Sequence, residues 1–236
     1  MDNPFIRTEA LLGDAAIEKL KKAHVCVFGL GGVGGYAVEA LARSGVGELT
    51  LVDNDTVSVS NINRQILATV KTVGQFKTEA AKARVLEINP ECKAHAVNLF
   101  FMPETAGEID FSAFDYVVDA IDSVTGKIEL VMQCEKAGVP IISSMGTGNK
   151  LDPTAFEVTD VFKTSVCPLA RVMRRELKSR GVKKLKVVYS KEEARTPLFD
   201  AGDNPLKRQT PASVAFVPSV AGLIIAGEVV KEISGI

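Results

Sequence analysis

Gly29-Leu30-Gly31-Gly32-Val33-Gly34 lies between a short apolar, β-prone run, His24 to Phe28, and a helical pattern, Val33 to Arg43. Glycines at a strand-to-helix junction let the backbone turn sharply and let a phosphate approach the N–H groups that open the helix. Asp53 ends the next β-prone run, Glu48 to Val52. In dinucleotide-binding folds a carboxylate at that place holds a ribose hydroxyl. A lone glycine run carries little weight and also serves tight packing. With a strand before it, a helix after it and the acid following, it predicts a nucleotide site.

The nucleotide is indicated by what comes next. Asp53-Asn54-Asp55-Thr56-Val57-Ser58-Val59-Ser60-Asn61-Ile62-Asn63-Arg64-Gln65 is a polar run ending in a cation, and Lys77 follows in the next helical pattern. Asp119 and Asp122 bracket the end of a fourth strand-like run, at the carboxyl edge where open α/β sheets bind ligands. Cations on a triphosphate, with a carboxylate for Mg²⁺, suit nucleotidyl transfer, in which charge develops on a pyrophosphate leaving group. Hydride transfer requires none of these groups, so a nicotinamide-dependent dehydrogenase is the weaker enzymatic reading. The bland alternatives are plain: Arg64 and Lys77 as solvated charges, Asp119 as a structural strand end, and Asp122 as a helix cap.

GLGGVG, D-N-D-x-V-x-x-S-N-I-N-R-Q, the Lys77 helix and D-A-I-D at 119–122 together resemble the ubiquitin-activating-enzyme-like superfamily, which includes bacterial activators of sulfur-carrier proteins. The resemblance runs from about residue 5 to about residue 150. It implies an ATP site in which Gly29, Gly31, Gly32 and Gly34 cradle phosphate, Asp53 binds ribose, Asn61, Arg64 and Lys77 handle the phosphates, and Asp122 serves Mg²⁺. Asp55 and Gln65 fall in the same motif and are implied as further ATP contacts. Arg7, in F-I-R-T, resembles the arginine that the family donates across a homodimer into the partner's ATP site. The implied catalytic set is therefore Arg7, Arg64, Lys77 and Asp122.

Two features narrow the branch. Cysteines occur at 26, 92, 134 and 167 with no C-x-x-C pair, so the zinc ribbon usual in sulfur-carrier activators is not encoded. D-P-T at 152–154, V-T-D at 158–160, R-R-E-L-K at 174–178, V-V-Y-S at 187–190 and F-V-P-S-V-A-G-L at 216–223 resemble the bacterial tRNA threonylcarbamoyladenosine dehydratase branch. That branch uses ATP to activate the threonyl carboxylate of a modified adenosine in tRNA and closes it into a ring. The partners implied are tRNA, a second copy of the chain, and a cysteine-desulfurase or sulfur-acceptor system. Arg171, Arg174, Arg175 and Lys178 fall on one side of a helical pattern with Glu176 the acid among them, a basic stripe suited to a phosphate backbone or to a solvated helix face. Activation of a carrier protein's C-terminus and a catalytically silent nucleotide-binding scaffold remain open at this point. Cys167, just before Pro168, is a weak nucleophile candidate, because ring closure draws on the substrate's own atoms. His24 and His95 read as structural strand residues without a ligand-like neighbour in sequence.

The elements that must position these groups alternate strand and helix from residue 23 to residue 144, which predicts an α/β, Rossmann-like, mostly parallel sheet with helices on both faces. An opening helix is expected over 11–22 and another over 74–89. After residue 150 the rhythm changes to strands near 156–161 and 184–189, a basic helix over 168–180, and a long polar segment over 191–210. The reading is a single adenylating domain over 1–236, with an ATP-binding half to residue 150 and a substrate-binding half beyond. The 236 residues are 46% apolar and 24% charged with net charge −1, enough for a real core and without a whole-chain field for nucleic acid. Residues 1–9 contain no apolar signal core, and the apolar stretch 214–230 is broken by Pro218 and Glu228. The expected setting is cytoplasmic and reduced, away from membranes.

Overall fold

The computed structural model describes residues 3–200 and 211–236. Strands β1 (His24–Phe28), β2 (Glu48–Asp53), β3 (Lys93–Asn98), β4 (Tyr116–Asp119), β5 (Ile141–Ser144), β6 (Phe156–Asp160) and β7 (Lys186–Ser190) form a seven-stranded sheet ordered β3-β2-β1-β4-β5-β7-β6. Every neighbouring pair is parallel except β6 with β7. The chain winds outward from β1 to β3, then crosses to β4 on the other side of β1. That reversal opens a crevice at the carboxyl ends of β1 and β4, where such sheets take their ligands.

The central strands are buried on both faces, as parallel strands under two helix layers must be. Val25 and Val27 join one apolar cluster with Leu49, Leu51 and the helices α3 (Gly34–Arg43) and α7 (Phe216–Ser234). Cys26 and Phe28 point the other way, into a cluster with Phe101, Phe111 and Leu130 of α5 (Val124–Ala137). The residues after 150 complete this sheet: β7 pairs with β5, and α7 packs on α3. Helix α6 (Pro168–Ser179) buries Ala170, Met173 and Leu177 in a third cluster with Val131 and Met145.

Two expected helices are corrected. The opening helix is two helices, α1 (Ile6–Leu12) and α2 (Asp14–Lys22), because Gly13 between them adopts φ +87°. The helix expected from residue 74 starts at Lys77, as α4 (Lys77–Ile88). Gly74 also has positive φ, and Phe76 is extended and bridges Thr56. Residues 191–200 of the long polar segment form neither helix nor strand, and its remainder, 201–210, lies outside the described residues. Among the described residues no helix is long and apolar enough to cross a membrane.

Candidate functional site

The glycine loop is tied down from both sides. Asp53, at the end of β2, accepts the Leu30 N–H at 2.6 Å on one carboxylate oxygen and the Asp55 N–H at 2.8 Å on the other. Each oxygen keeps a further lone pair for a ligand hydroxyl. Gly29 has φ +86°, and a Cβ on it would lie 2.7 Å from the Ala120 carbonyl at the end of β4. A Cβ on Gly34 would lie 1.7 Å from the Gly29 oxygen. Side chains here would lift the loop away from β4 and lose the turn that directs the first N–H groups of α3 into the crevice.

A cleft of about 410 Å³ lies over this loop. It brings together Gly29, Gly31, Gly32, Asp53, Asp55, Asn61, Arg64, Gln65, Lys77 and Asp122 from five separate segments. Lys77, buried at the first turn of α4, pairs with Asp55 at 2.7 Å and donates its backbone N–H to the Asp55 carbonyl at 3.0 Å. Arg64 is half-buried. Its Nη1 donates to the Ser60 carbonyl at 2.8 Å and to Asn63 Oδ1 at 2.9 Å, with no carboxylate partner among the described residues. Burial holds its pKa below the ordinary guanidinium range. A half-buried cation in a cleft, without a carboxylate beside it among the described residues, suits an anion.

The turn carrying Arg64 is built by Asn61. Its Oδ1 accepts the Ser58 N–H at 3.0 Å, while its carbonyl accepts the N–H groups of Arg64 and Gln65. Buried Gln65 leaves Oε1 without a partner among the described residues, an acceptor that a ligand donor would satisfy. Asp122 stands exposed on the rim. Ser123, not Asp122, caps α5 by accepting the Gly126 N–H at 3.3 Å, so the Asp122 carboxylate is left without a protein partner among the described residues.

Spacing leaves Asp119 open between a ligand and a strand end, and gives no sign of Lys127. The two form an ion pair at 2.9 Å that is fully enclosed, with Ser143 donating to Asp119 at 2.5 Å and Lys127 donating to the Ser144 carbonyl at 2.8 Å. This network fixes the end of β4 beneath the Ala120–Ser123 rim. Also missed is the far wall of the cleft: Thr147 and Gly148 after β5, and Pro211 and Ser213 before α7. Asn149 clasps Ala212 through two 2.7 Å bonds, and Asn63 donates to the Ser213 carbonyl at 3.0 Å. No local pattern announces contacts between positions so far apart in the chain.

Other expected site residues are placed elsewhere. Arg7 is exposed on α1 and does not line the cleft; Phe5, two residues before it, packs on Gly45 beyond the C-terminal end of α3. Arg171, Arg175 and Lys178 share an exposed face of α6. Arg174 turns inward and donates to the Thr164 carbonyl at 2.9 Å and to the Thr164 hydroxyl, so it holds the corner before α6. Glu176 neutralises part of the stripe, pairing with Arg175 and Arg180, each at 2.9 Å. Cys167 is buried and caps α6 through its sulfur, which accepts the Ala170 N–H at 3.5 Å. All four cysteines are free and buried. The histidines read as unconnected meet across the sheet: His24, Glu48 and His95 converge at its amino edge.

Comparison with known proteins agrees with this geometry. The ThiF family model matches residues 6–236. The tRNA threonylcarbamoyladenosine dehydratase of Bacillus subtilis (strain 168) is 44% identical, over 99% of this chain and 95% of that protein. The crystal structure of the E. coli tRNA N6-threonylcarbamoyladenosine dehydratase in complex with AMP superposes with a TM-score of 0.90 at 36% identity, covering 98% of this chain and 94% of that one. The ATP complex of the same enzyme gives 0.87 at 36% identity, covering 98% and 93%.

Proposed function

The chain belongs to the ThiF family, and from that premise we propose that it is an ATP-dependent tRNA threonylcarbamoyladenosine dehydratase. The threonyl carboxylate of the modified adenosine attacks the α-phosphorus of ATP, and pyrophosphate leaves. The substrate's own carbamoyl group then displaces AMP and closes the ring, with net loss of water from the nucleoside. No enzyme nucleophile is called for, in keeping with a buried Cys167 engaged as a helix cap.

The observation that carries this reading is Arg64: a half-buried cation without an acid among the described residues, in the cleft over the glycine loop. In that reading Asp53 takes the ribose, the N–H groups at the start of α3 take phosphate, and Gln65 Oε1 accepts a ligand donor. Arg64 and Lys77 meet charge that grows on the leaving pyrophosphate. Lys77 reaches it by loosening its pair with the more exposed Asp55. Asp122 fits Mg²⁺, which is commonly held by one or two carboxylates together with substrate phosphates. The bound ion would supply charge neutralisation at the phosphates.

Arg7 is exposed and away from its own cleft, which supports a homodimer in which it completes the partner's site. The exposed face of Arg171, Arg175 and Lys178 is assigned to the tRNA backbone. The test is ATP–pyrophosphate exchange with threonylcarbamoyladenosine-bearing tRNA on one side and a carrier protein on the other. Exchange with the tRNA alone, and a nucleoside product lighter by one water, is the expected result. Exchange only with a carrier protein would make the chain a carrier-protein adenylyltransferase, and exchange with neither would make it a scaffold.

A further inference from the structure

The only two histidines of the chain lie 71 positions apart and meet because of strand register. His24 opens β1 beside Glu48 of β2, Glu48 pairs with Lys93 of β3, and Thr50 pairs with His95. Parallel register and the two-residue period put all five side chains on one face at the amino edge of the sheet. The ATP cleft lies at the carboxyl edge, roughly 15 Å away along β1. One ligand atom from each of His24, Glu48 and His95 lies within 4.8 Å of the other two.

We propose that His24, Glu48 and His95 form a binding site for a divalent transition-metal ion of the zinc type. Two imidazoles and a carboxylate are a donor set that such ions accept, with water completing the coordination. The support around His24 is that of a metal-bound imidazole. Its Nε2 lies 2.8 Å from Thr50 Oγ1 and its Nδ1 lies 3.8 Å from Glu48 Oε1, so the tautomer in which Nε2–H donates to Thr50 frees Nδ1 for a metal on the Glu48 side. The Phe114 ring stands edge-on to the His24 ring at 4.9 Å and fixes its plane.

His95 Nε2 lies 2.8 Å from Glu48 Oε1, and Lys93 Nζ lies 3.7 Å from Oε2. A cation replaces both of these contacts. Drawing the ligands to about 3.4 Å from one another, as around a tetrahedral ion with bonds of about 2.1 Å, requires rotation of Glu48 and the half-exposed His95. These are the less enclosed side chains, so the ion also has an entry path.

The test is calorimetric titration of the metal-free full chain with Zn²⁺ alone, followed by NMR of the histidine rings with Co²⁺. One ion per chain is expected. His95→Ala and Glu48→Gln should each weaken binding by at least about tenfold, and the isosteric Thr50→Val by about tenfold through the lost second contact of His24. Lys93→Ala should bind as tightly as the unchanged chain or more tightly. Both histidine rings should shift with Co²⁺, and AMP formation should not depend on Zn²⁺. His95 is half exposed, so its removal spares the fold and the comparison stays readable. Equal affinity in the unchanged chain and His95→Ala, no binding at micromolar Zn²⁺, or a Co²⁺ shift confined to one ring would overturn the proposal.

Discussion

Replacing Arg64 by alanine should separate catalysis from folding. Among the described residues the side chain makes two hydrogen bonds, to the Ser60 carbonyl and to Asn63 Oδ1, and no ion pair. Their loss costs about 1–3 kcal/mol. Water replaces both bonds at this half-exposed position, which offsets most of that loss. The net change should lie within about 1 kcal/mol, a shift in Tm of no more than about 4 °C for a chain of this length. Activity should fall far more. A preorganised charge facing the developing pyrophosphate is worth about 10²–10³ in rate, or roughly 3–4 kcal/mol of barrier. Arg64→Lys should fall between, since it keeps the charge and loses the planar fork. Pyrophosphate release under saturating tRNA gives kcat and the KM for ATP, and thermal unfolding of the same preparations gives Tm. Turnover within about threefold of the unchanged enzyme would remove Arg64 from the phosphates. A drop in Tm above about 10 °C would make it a structural residue of the 58–65 turn.

Lys127→Met should destabilise the protein by about 3–5 kcal/mol in chemical denaturation, because it strands the Asp119 carboxylate in a fully enclosed site; adding Asp119→Asn should recover part of the loss, and a single mutant as stable as the unchanged chain would refute the pair's role. Mixing Arg7→Ala with Asp122→Ala should restore partial activity if Arg7 works in the partner's cleft, and a monomer by light scattering at micromolar concentration would contradict a shared site. Neutralising Arg171, Arg175 and Lys178 together should weaken tRNA binding and reduce its salt slope by roughly two to three, with ATP affinity unchanged. Arg174→Ala should instead lower stability and leave the slope alone, because it abandons Thr164. Burial depresses the His24 pKa from its ordinary 6.5. The unfolded chain therefore takes up a proton first, and stability should fall as pH drops below about 6.5 toward the folded value. With a chelator present, His24→Asn should flatten that part of the stability–pH curve.

The glycine-loop side of the candidate site was legible because its parts are local. Gly29 to Gly34 turn between one strand and one helix, and Asp53 ends the neighbouring strand. Arg64 sits in a turn whose hydrogen bonds close within a few residues, at Ser60 and Asn61. Type and spacing alone carry that information, as they carry the alternation that specified a parallel sheet. The starts of α2 and α4 were misplaced because Gly13 and Gly74 take positive φ, which an apolar periodicity does not register. The remaining features depend on which distant segments the crossovers bring together. Lys127 has the spacing of an ordinary helix lysine and is enclosed because β4 and β5 place Asp119, Ser143 and the Ser144 carbonyl around it. Arg174 belongs to the basic stripe by spacing and leaves it because Thr164 lies within reach of its guanidinium. Pro211 to Ser213 form a cleft wall only through Asn149 and Asn63. His24 and His95 become neighbours only because β2, laid between their strands, places Glu48 within reach of both.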